Sequence, residues 1–254
     1  MSGEQHEDLA EGTLLSHLIE LRSRLFRIVG AVFLVFLALL PFAKMIFNYV
    51  AAPLVSVVPN GELLALNPVS PLTATIALTF YIALFIAMPV VLYQVWAFVA
   101  PGLYRKEKRF AFPLLATSIA LFYLGMAFAY YVVFPLVFGF VSAFTPDTVN
   151  YQPDMTAYVS FVMMGVLVFG LAFERPIATV LLVWTGLTTT DKLGKARPYI
   201  FLGAFIVGML LTPPDIISQT MLAVPIYILF ELGILMSRLF SARAPESDEA
   251  AEVE

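Results

Sequence analysis

Cysteine is absent from this chain of 254 residues, and histidine occurs only twice, as His6 and His17. Without cysteine there are no disulfides, no thiolate nucleophile and no cysteine-ligated metal, and two histidines near the N-terminus do not suffice for a histidine cage. We therefore expect no metal and no other cofactor. An intramembrane enzyme is also disfavoured, because no His-Asp or paired-Asp arrangement occurs within the long apolar segments.

Charged residues are scarce. They make up 13% of the chain, whereas 61% of the residues are apolar and the mean hydropathy is +0.91. A soluble domain carries about 25% charged residues, so this composition predicts a membrane protein. Much of the acid lies in two terminal segments, 1–13 and 241–254, which we expect to be disordered tails around a membrane domain at 14–240. We expect no cleavable signal peptide, because the first fifteen residues are acidic and polar, unlike a basic n-region.

Lysine and arginine are nearly missing from every second loop, where acids stand instead (Glu62, Asp147, Asp154 and Asp215). Loops rich in Lys and Arg stay in the cytoplasm during insertion. The pattern predicts a multi-pass protein of the bacterial inner membrane with both termini in the cytoplasm. Only Lys44 and Arg175 depart from it. The basic clusters are Arg22, Arg24 and Arg27; Arg105, Lys106, Lys108 and Arg109; Lys192, Lys195 and Arg197; and Arg238 and Arg243.

Apolar runs predict six transmembrane helices, since a bilayer core of about 30 Å needs about 20 helical residues. We place them at about 25–43, 72–98, 112–134, 157–184, 199–211 and 216–237, with Pro135 ending or bending the third. The last two are short, which indicates local membrane thinning or shielding by partners, unless the boundaries are wrong by a few residues. The predicted fold is an all-α polytopic bundle whose bent helices form a concave, receptor-like surface.

The regions outside these spans are small. An amphipathic helix, Leu14 to Leu25, is expected in the headgroup layer ahead of the first span. The outer loop at 45–71 contains Pro53 and several turn signals, and is predicted to form a folded cap. No segment is long enough for a nucleotide fold, and we expect no nucleic-acid partner. The lack of an internal repeat weakens the interpretation of a secondary transporter.

Three acids could carry a function. Glu20 either forms an i,i+4 pair with Arg24 or presents its carboxylate to a ligand. Glu107, the only acid in the basic loop 105–109, is either a solvated loop residue or a second such ligand group. Together the two could each hold a guanidinium in a bidentate fork. Glu174, beside Arg175 within the fourth span, is either a structural polar contact or an intramembrane functional site.

Four segments closely resemble the TatC family, the six-span core of the bacterial twin-arginine protein translocase. The resemblance covers about residues 14–240, and the only departure we see is Arg175, where the family usually has an apolar residue. The segments are SHLIELR at 16–22, YQVWAFVAPGLY at 93–104, Phe173-Glu174, and GMLLTPPD at 208–215.

The resemblance implies a receptor for the twin-arginine signal peptide of folded cargo. It would act in an oligomeric complex with the single-span proteins TatA and TatB, driven by the proton-motive force. Glu20 and Glu107 would receive the two arginines in a site shaped by Arg22, Phe98, Pro101 and Leu103. The resemblance further assigns Glu174 to a membrane groove beside Arg175, Pro53 to the outer loop, and partner docking to Met209, Thr212, Asp215 and Gln219.

One alternative stays open, which is an ion- or proton-coupled transporter of small solutes that uses Glu174 and Arg175 in mid-membrane. Such a transporter would move a solute in liposomes without TatA or TatB.

Overall fold

A computed structural model describes residues 2–55, 63–99, 108–146, 152–184, 187–211 and 216–241. Over these ranges the chain is helical apart from turns and one isolated β-bridge between Leu64 and Asp154. The all-α class is therefore confirmed. The helices are α1 Ser2–Leu39, α2 Ala43–Val55, α3 Ser70–Val99, α4 Lys108–Phe128, α5 Phe134–Ala143, α6 Met155–Phe173, α7 Arg175–Trp184, α8 Thr190–Lys195, α9 Arg197–Leu211 and α10 Ile216–Ser241.

Five helical segments among the described residues are long and apolar enough to cross a membrane. They are Leu18–Ala51, Ser70–Phe98, Phe112–Ala143, Met155–Val183 and Ile216–Arg238. The short fifth segment of the prediction is α9, whose 15 residues reach only about 22 Å. The last segment is the shortest of the five at 23 residues, yet it extends about 34 Å and can cross a full bilayer core.

The chain divides into two compact units: Met1–Ala51 with Pro68–Ile119, and Ala52–Asn67 with Ala120–Glu254. In the first unit α1 packs along α3, and the rings of Phe36 and Phe80 meet edge to face at 6.0 Å. Most of the other apolar side chains between Leu18 and Leu39 are exposed, as expected of a helix that faces lipid.

Helix α1 is longer than predicted. We expected an amphipathic helix from Leu14 to Leu25 that leads into the first span, and the backbone is one continuous helix from Ser2 to Leu39. No proline interrupts it before Pro41, where a short 3-10 turn leads into α2. The helix also takes in residues 2–13, which we expected to be disordered, whereas residues 242–254 lie outside the described ranges.

The third span does not end near residue 134. Pro135 lies in the first turn of α5, and the helix continues to Ala143. A π-helical segment, Ala129–Val133, precedes it directly. Since Pro135 has no N–H to donate, the wider π turn lets the chain pass the proline without stopping.

The fourth span is interrupted. Helix α6 ends at Phe173, Glu174 forms a turn, and α7 starts at Arg175 with Pro176 in its first turn. The N–H of Glu174 donates to the carbonyls of Leu171 and Ala172, which tightens the last turn of α6. Pro176 supplies no N–H to the ladder, which accounts for the break at this point.

In the second unit α10 packs against both α7 and α9. Gly233 of α10 lies so close to α7 that an added Cβ would stand 3.1 Å from Pro176 Cα and from Thr179 Oγ1. Two segments outside the long helices of this unit also contact each other. Leu64 N–H donates to Pro153 (3.0 Å), and Met155 N–H donates to Leu64 (2.9 Å), while Asp154 caps α6 through the N–H groups of Thr156 and Ala157.

Candidate functional site

Glu20 and Arg24 of α1 form an ion pair. Arg24 Nε and Nη2 both contact Glu20 Oε1, at 3.0 and 2.5 Å. The spacing of four residues places them on one face of the helix, and this is the pairing that the sequence left open. Because both nitrogens use the same oxygen, Oε2 takes no part in the pair. The Glu20 side chain is 39% exposed and that of Arg24 only 18%.

Arg24 reaches a second helix as well. Its Nη1 donates to Gln94 Oε1 of α3 over a longer distance of 3.4 Å, and Gln94 is buried at 7% exposure. The sequence analysis did not single out Gln94 as a site residue. Its signal was a strongly polar side chain in a span that carries no charge, next to the Trp96–Phe98 segment of the family motif.

Arg22 and Phe98 are the other described members of the predicted binding site. Arg22 is exposed, and its guanidinium lies 5.5 Å from the ring centroid of Phe26, a cation–π contact along the same helix face. Phe98 is half-buried near the end of α3. Trp96 Nε1 donates to Ser118 Oγ at 3.2 Å, which ties α3 to α4 on either side of the basic loop.

Glu107, Pro101 and Leu103 lie outside the described residues, and so does the loop that carries them. Their roles stay predictions from the sequence. That Glu20 and Glu107 lie close together is likewise a prediction.

Glu174 and Arg175 stand at the interruption of the fourth span, and both are half-buried. Within the described part of the chain, Arg175 Nη1 is buried and has no hydrogen-bond partner. Adjacent helical residues point about 100° apart, and no ion pair between the two is found among the described side chains.

Gln219 makes a hydrogen bond between two helices, whereas Met209 is exposed. The Gln219 amide donates to the carbonyl of Phe205 at 2.8 Å, between α10 and α9. Gly208 makes this close approach possible, since a Cβ there would stand 3.1 Å from Gln219 Cγ. Met209 is 51% exposed and offers an apolar side chain outward. Thr212 and Asp215 lie outside the described residues, and Pro53 lies near the end of α2.

One polar cluster escaped the sequence analysis. Arg197 at the start of α9 holds Glu231 of α10 in a two-pronged pair, Nε to Oε1 at 2.8 Å and Nη2 to Oε2 at 2.7 Å. Tyr227 adds a hydroxyl donor to Oε1 at 2.9 Å. The only available signals were an acid near the end of the last span and a basic residue ahead of the short one. Among the described residues no group of three or more His, Asp or Glu is arranged to hold a metal ion.

The long apolar helices and the short apolar α9, which packs against the last of them, define a multi-pass α-helical membrane protein. Comparison with known proteins is more specific. The family model of TatC, the Sec-independent protein translocase protein, matches residues 16–225. The chain therefore belongs to the TatC family, whose members are components of protein transport by the Tat pathway. This confirms the resemblance seen in the sequence.

Individual relatives agree. The Sec-independent protein translocase protein TatC of Escherichia coli K12 is 50% identical over 237 residues, which cover 93% of this chain and 92% of the relative. That of Azotobacter chroococcum mcd 1 is 52% identical over 239 residues, 94% of this chain and 92% of the relative. The solved structure titled "Crystal Structure of Twin Arginine Translocase Receptor- TatC" matches with a TM-score of 0.82 at 38% identity, covering 89% of this chain and 99% of that one.

Proposed function

We propose that this protein is the signal-peptide receptor of the twin-arginine pathway, with Glu20 and Glu107 as the acids that receive the two signal arginines. The observation that carries the proposal is the Glu20 carboxylate, which already holds an arginine guanidinium through two nitrogens. A solved relative at 38% identity is titled as a receptor of the twin-arginine translocase, which supports the same function.

The residue types fit the selectivity. A guanidinium offers a planar fork of donors that matches a carboxylate, whereas the lysine ammonium is a compact, strongly hydrated point charge. Two carboxylates that each accept such a fork would therefore discriminate an Arg-Arg pair from Lys-Lys. Arg22, Phe98, Pro101 and Leu103 would line this site on the side that the charge pattern assigns to the cytoplasm.

The partners in this proposal are the single-span proteins TatA and TatB, and transport of folded cargo is driven by the proton-motive force. The exposed Met209 on the short helix α9 supports docking of an apolar partner helix there. A helix of about 22 Å leaves its ends short of one bilayer surface, and a partner that shields this mismatch is favoured. Thr212, Asp215 and Gln219 would belong to the same docking region, and Pro53 would support the outer loop.

The binding test uses the full chain in lipid nanodiscs and a twin-arginine signal peptide. Glu20→Gln and Glu107→Gln should each weaken binding by roughly 1.5–3 kcal/mol, the range of a charge-assisted hydrogen-bonded contact. The thermal midpoint should change little, because each carboxylate is replaced by an amide of the same size. Asp191→Asn is the matched control, since it removes one exposed acid from the basic region around α8. Unchanged affinity in both Glu variants would refute the proposal.

A further inference from the structure

Arg24 is held from two sides. Its Nε and Nη2 contact Glu20 on α1, and its Nη1 reaches the buried amide of Gln94 on α3. An isolated, exposed i,i+4 pair contributes only a few tenths of a kcal/mol and is loosely held. Here the Arg24 side chain is only 18% exposed, and the second contact of its guanidinium lies on another helix, so its position is restricted beyond that of a simple surface pair.

The two side chains of the pair differ in solvent exposure. Arg24 is 18% exposed at its side chain and Glu20 is 39% exposed. Oε1 faces Arg24, and Oε2 is left out of the pair. A carboxylate has about four lone-pair sites, so one oxygen bound to Arg24 still allows the other to accept an arriving guanidinium.

The proposal here rests on the proposed receptor function and deepens it. We propose that Arg24 is a positioning residue: it fixes the Glu20 carboxylate against α3 through Gln94 and presents Oε2 to a guanidinium of the signal peptide. Arg24 itself does not touch the peptide.

The direction in which peptide affinity changes when Arg24 loses its charge tests the proposal. Removing a cation from this face should by itself favour a positively charged peptide, since like charges repel. A positioning role predicts the opposite. Arg24→Gln should weaken binding of an Arg-Arg peptide by about tenfold, the scale of one charge-assisted contact. Binding of the matched Lys-Lys peptide should hardly change, so that selectivity falls.

Arg27→Gln is the matched control. It removes the same charge from an exposed arginine of α1 for which no ion pair is found among the described residues. We expect Arg-Arg binding to be unchanged or slightly tighter in this variant. Arg24→Lys, which keeps the charge but loses the planar fork, should resemble Arg24→Gln. Gln94→Met keeps the volume of a buried side chain and removes only the tie to α3, and it should give a smaller loss of the same sign.

The proposal also predicts coupling between the two residues. In a Glu20→Gln background, Arg24→Gln should cause no further loss, because its effect passes through the carboxylate. Tighter Arg-Arg binding in Arg24→Gln, or two fully additive losses, would overturn the positioning role. If neither Glu20→Gln nor Glu107→Gln weakens binding, it is the receptor proposal that fails. If only Glu107→Gln weakens binding, the inference about Arg24 fails. If Glu20→Gln weakens binding and Arg24→Gln does not, only the inference about Arg24 fails.

Discussion

Two arginine–carboxylate pairs in this chain are built differently, one in each compact unit. Arg24 and Glu20 lie on the same helix, and both nitrogens of the contact use one carboxylate oxygen. Arg197 and Glu231 join two helices; each carboxylate oxygen has its own nitrogen, and Tyr227 supplies a third donor. The first carboxylate keeps an oxygen out of its pair, while both oxygens of the second are engaged. We infer that the first acid serves a ligand and that the second fastens α9 to α10.

The largest loss of peptide affinity should come from exchanging the charges of the first pair, Glu20 and Arg24. Glu20→Arg combined with Arg24→Glu keeps an ion pair on the helix but moves the acid by one turn and puts a cation where the peptide arginine would arrive. Binding of the twin-arginine peptide should fall by more than about a hundredfold, since a contact of roughly 3 kcal/mol is replaced by repulsion. Titration of the peptide by calorimetry measures this. Recovery of wild-type affinity in the exchanged protein would show that the pair is structural only.

The same exchange in the second pair should be tolerated. Glu231→Arg alone places two guanidiniums together and should lower the thermal midpoint clearly, whereas adding Arg197→Glu should restore most of it, because the fork can form in the reverse sense. Peptide affinity should stay near the wild-type value in both proteins. A double variant that remains as unstable as the single one would contradict the fastening role.

The smallest effect on peptide binding is expected at Glu174. This acid lies at the break between α6 and α7 and not in the unit that holds Glu20. We expect Glu174→Ala to keep peptide affinity and to slow transport or partner assembly, measured as export of a folded reporter. Full transport by this variant would reduce Glu174 to a structural residue.

Which contacts could be predicted from the sequence depends on how far apart the partners lie along the chain. The spans and the Glu20–Arg24 pairing follow from local patterns, hydropathy over about 20 residues and an i,i+4 spacing. The Arg197–Glu231 pair joins residues that are far apart in the sequence, and no local pattern reports such a partner. The contact of Arg24 with Gln94 was missed for the same reason.

Pro135 correctly indicated where a helix is perturbed, but the sequence did not predict which form the perturbation takes. Pro135 was expected to end or bend its helix, and instead a π-helical turn absorbs it and the helix continues to Ala143. Pro176 accompanies a break of the helix at Glu174. A missing N–H has several structural solutions, and the surrounding packing selects among them.

The central claim is that the Glu20 carboxylate binds an arginine of the signal peptide. It is tested most directly by a double-mutant cycle that crosses Glu20→Gln with replacement of each peptide arginine by glutamine, read out as binding free energies. The account predicts a coupling of roughly 1–3 kcal/mol between Glu20 and one of the two arginines. Losses that add fully, with no coupling to either arginine, would contradict it.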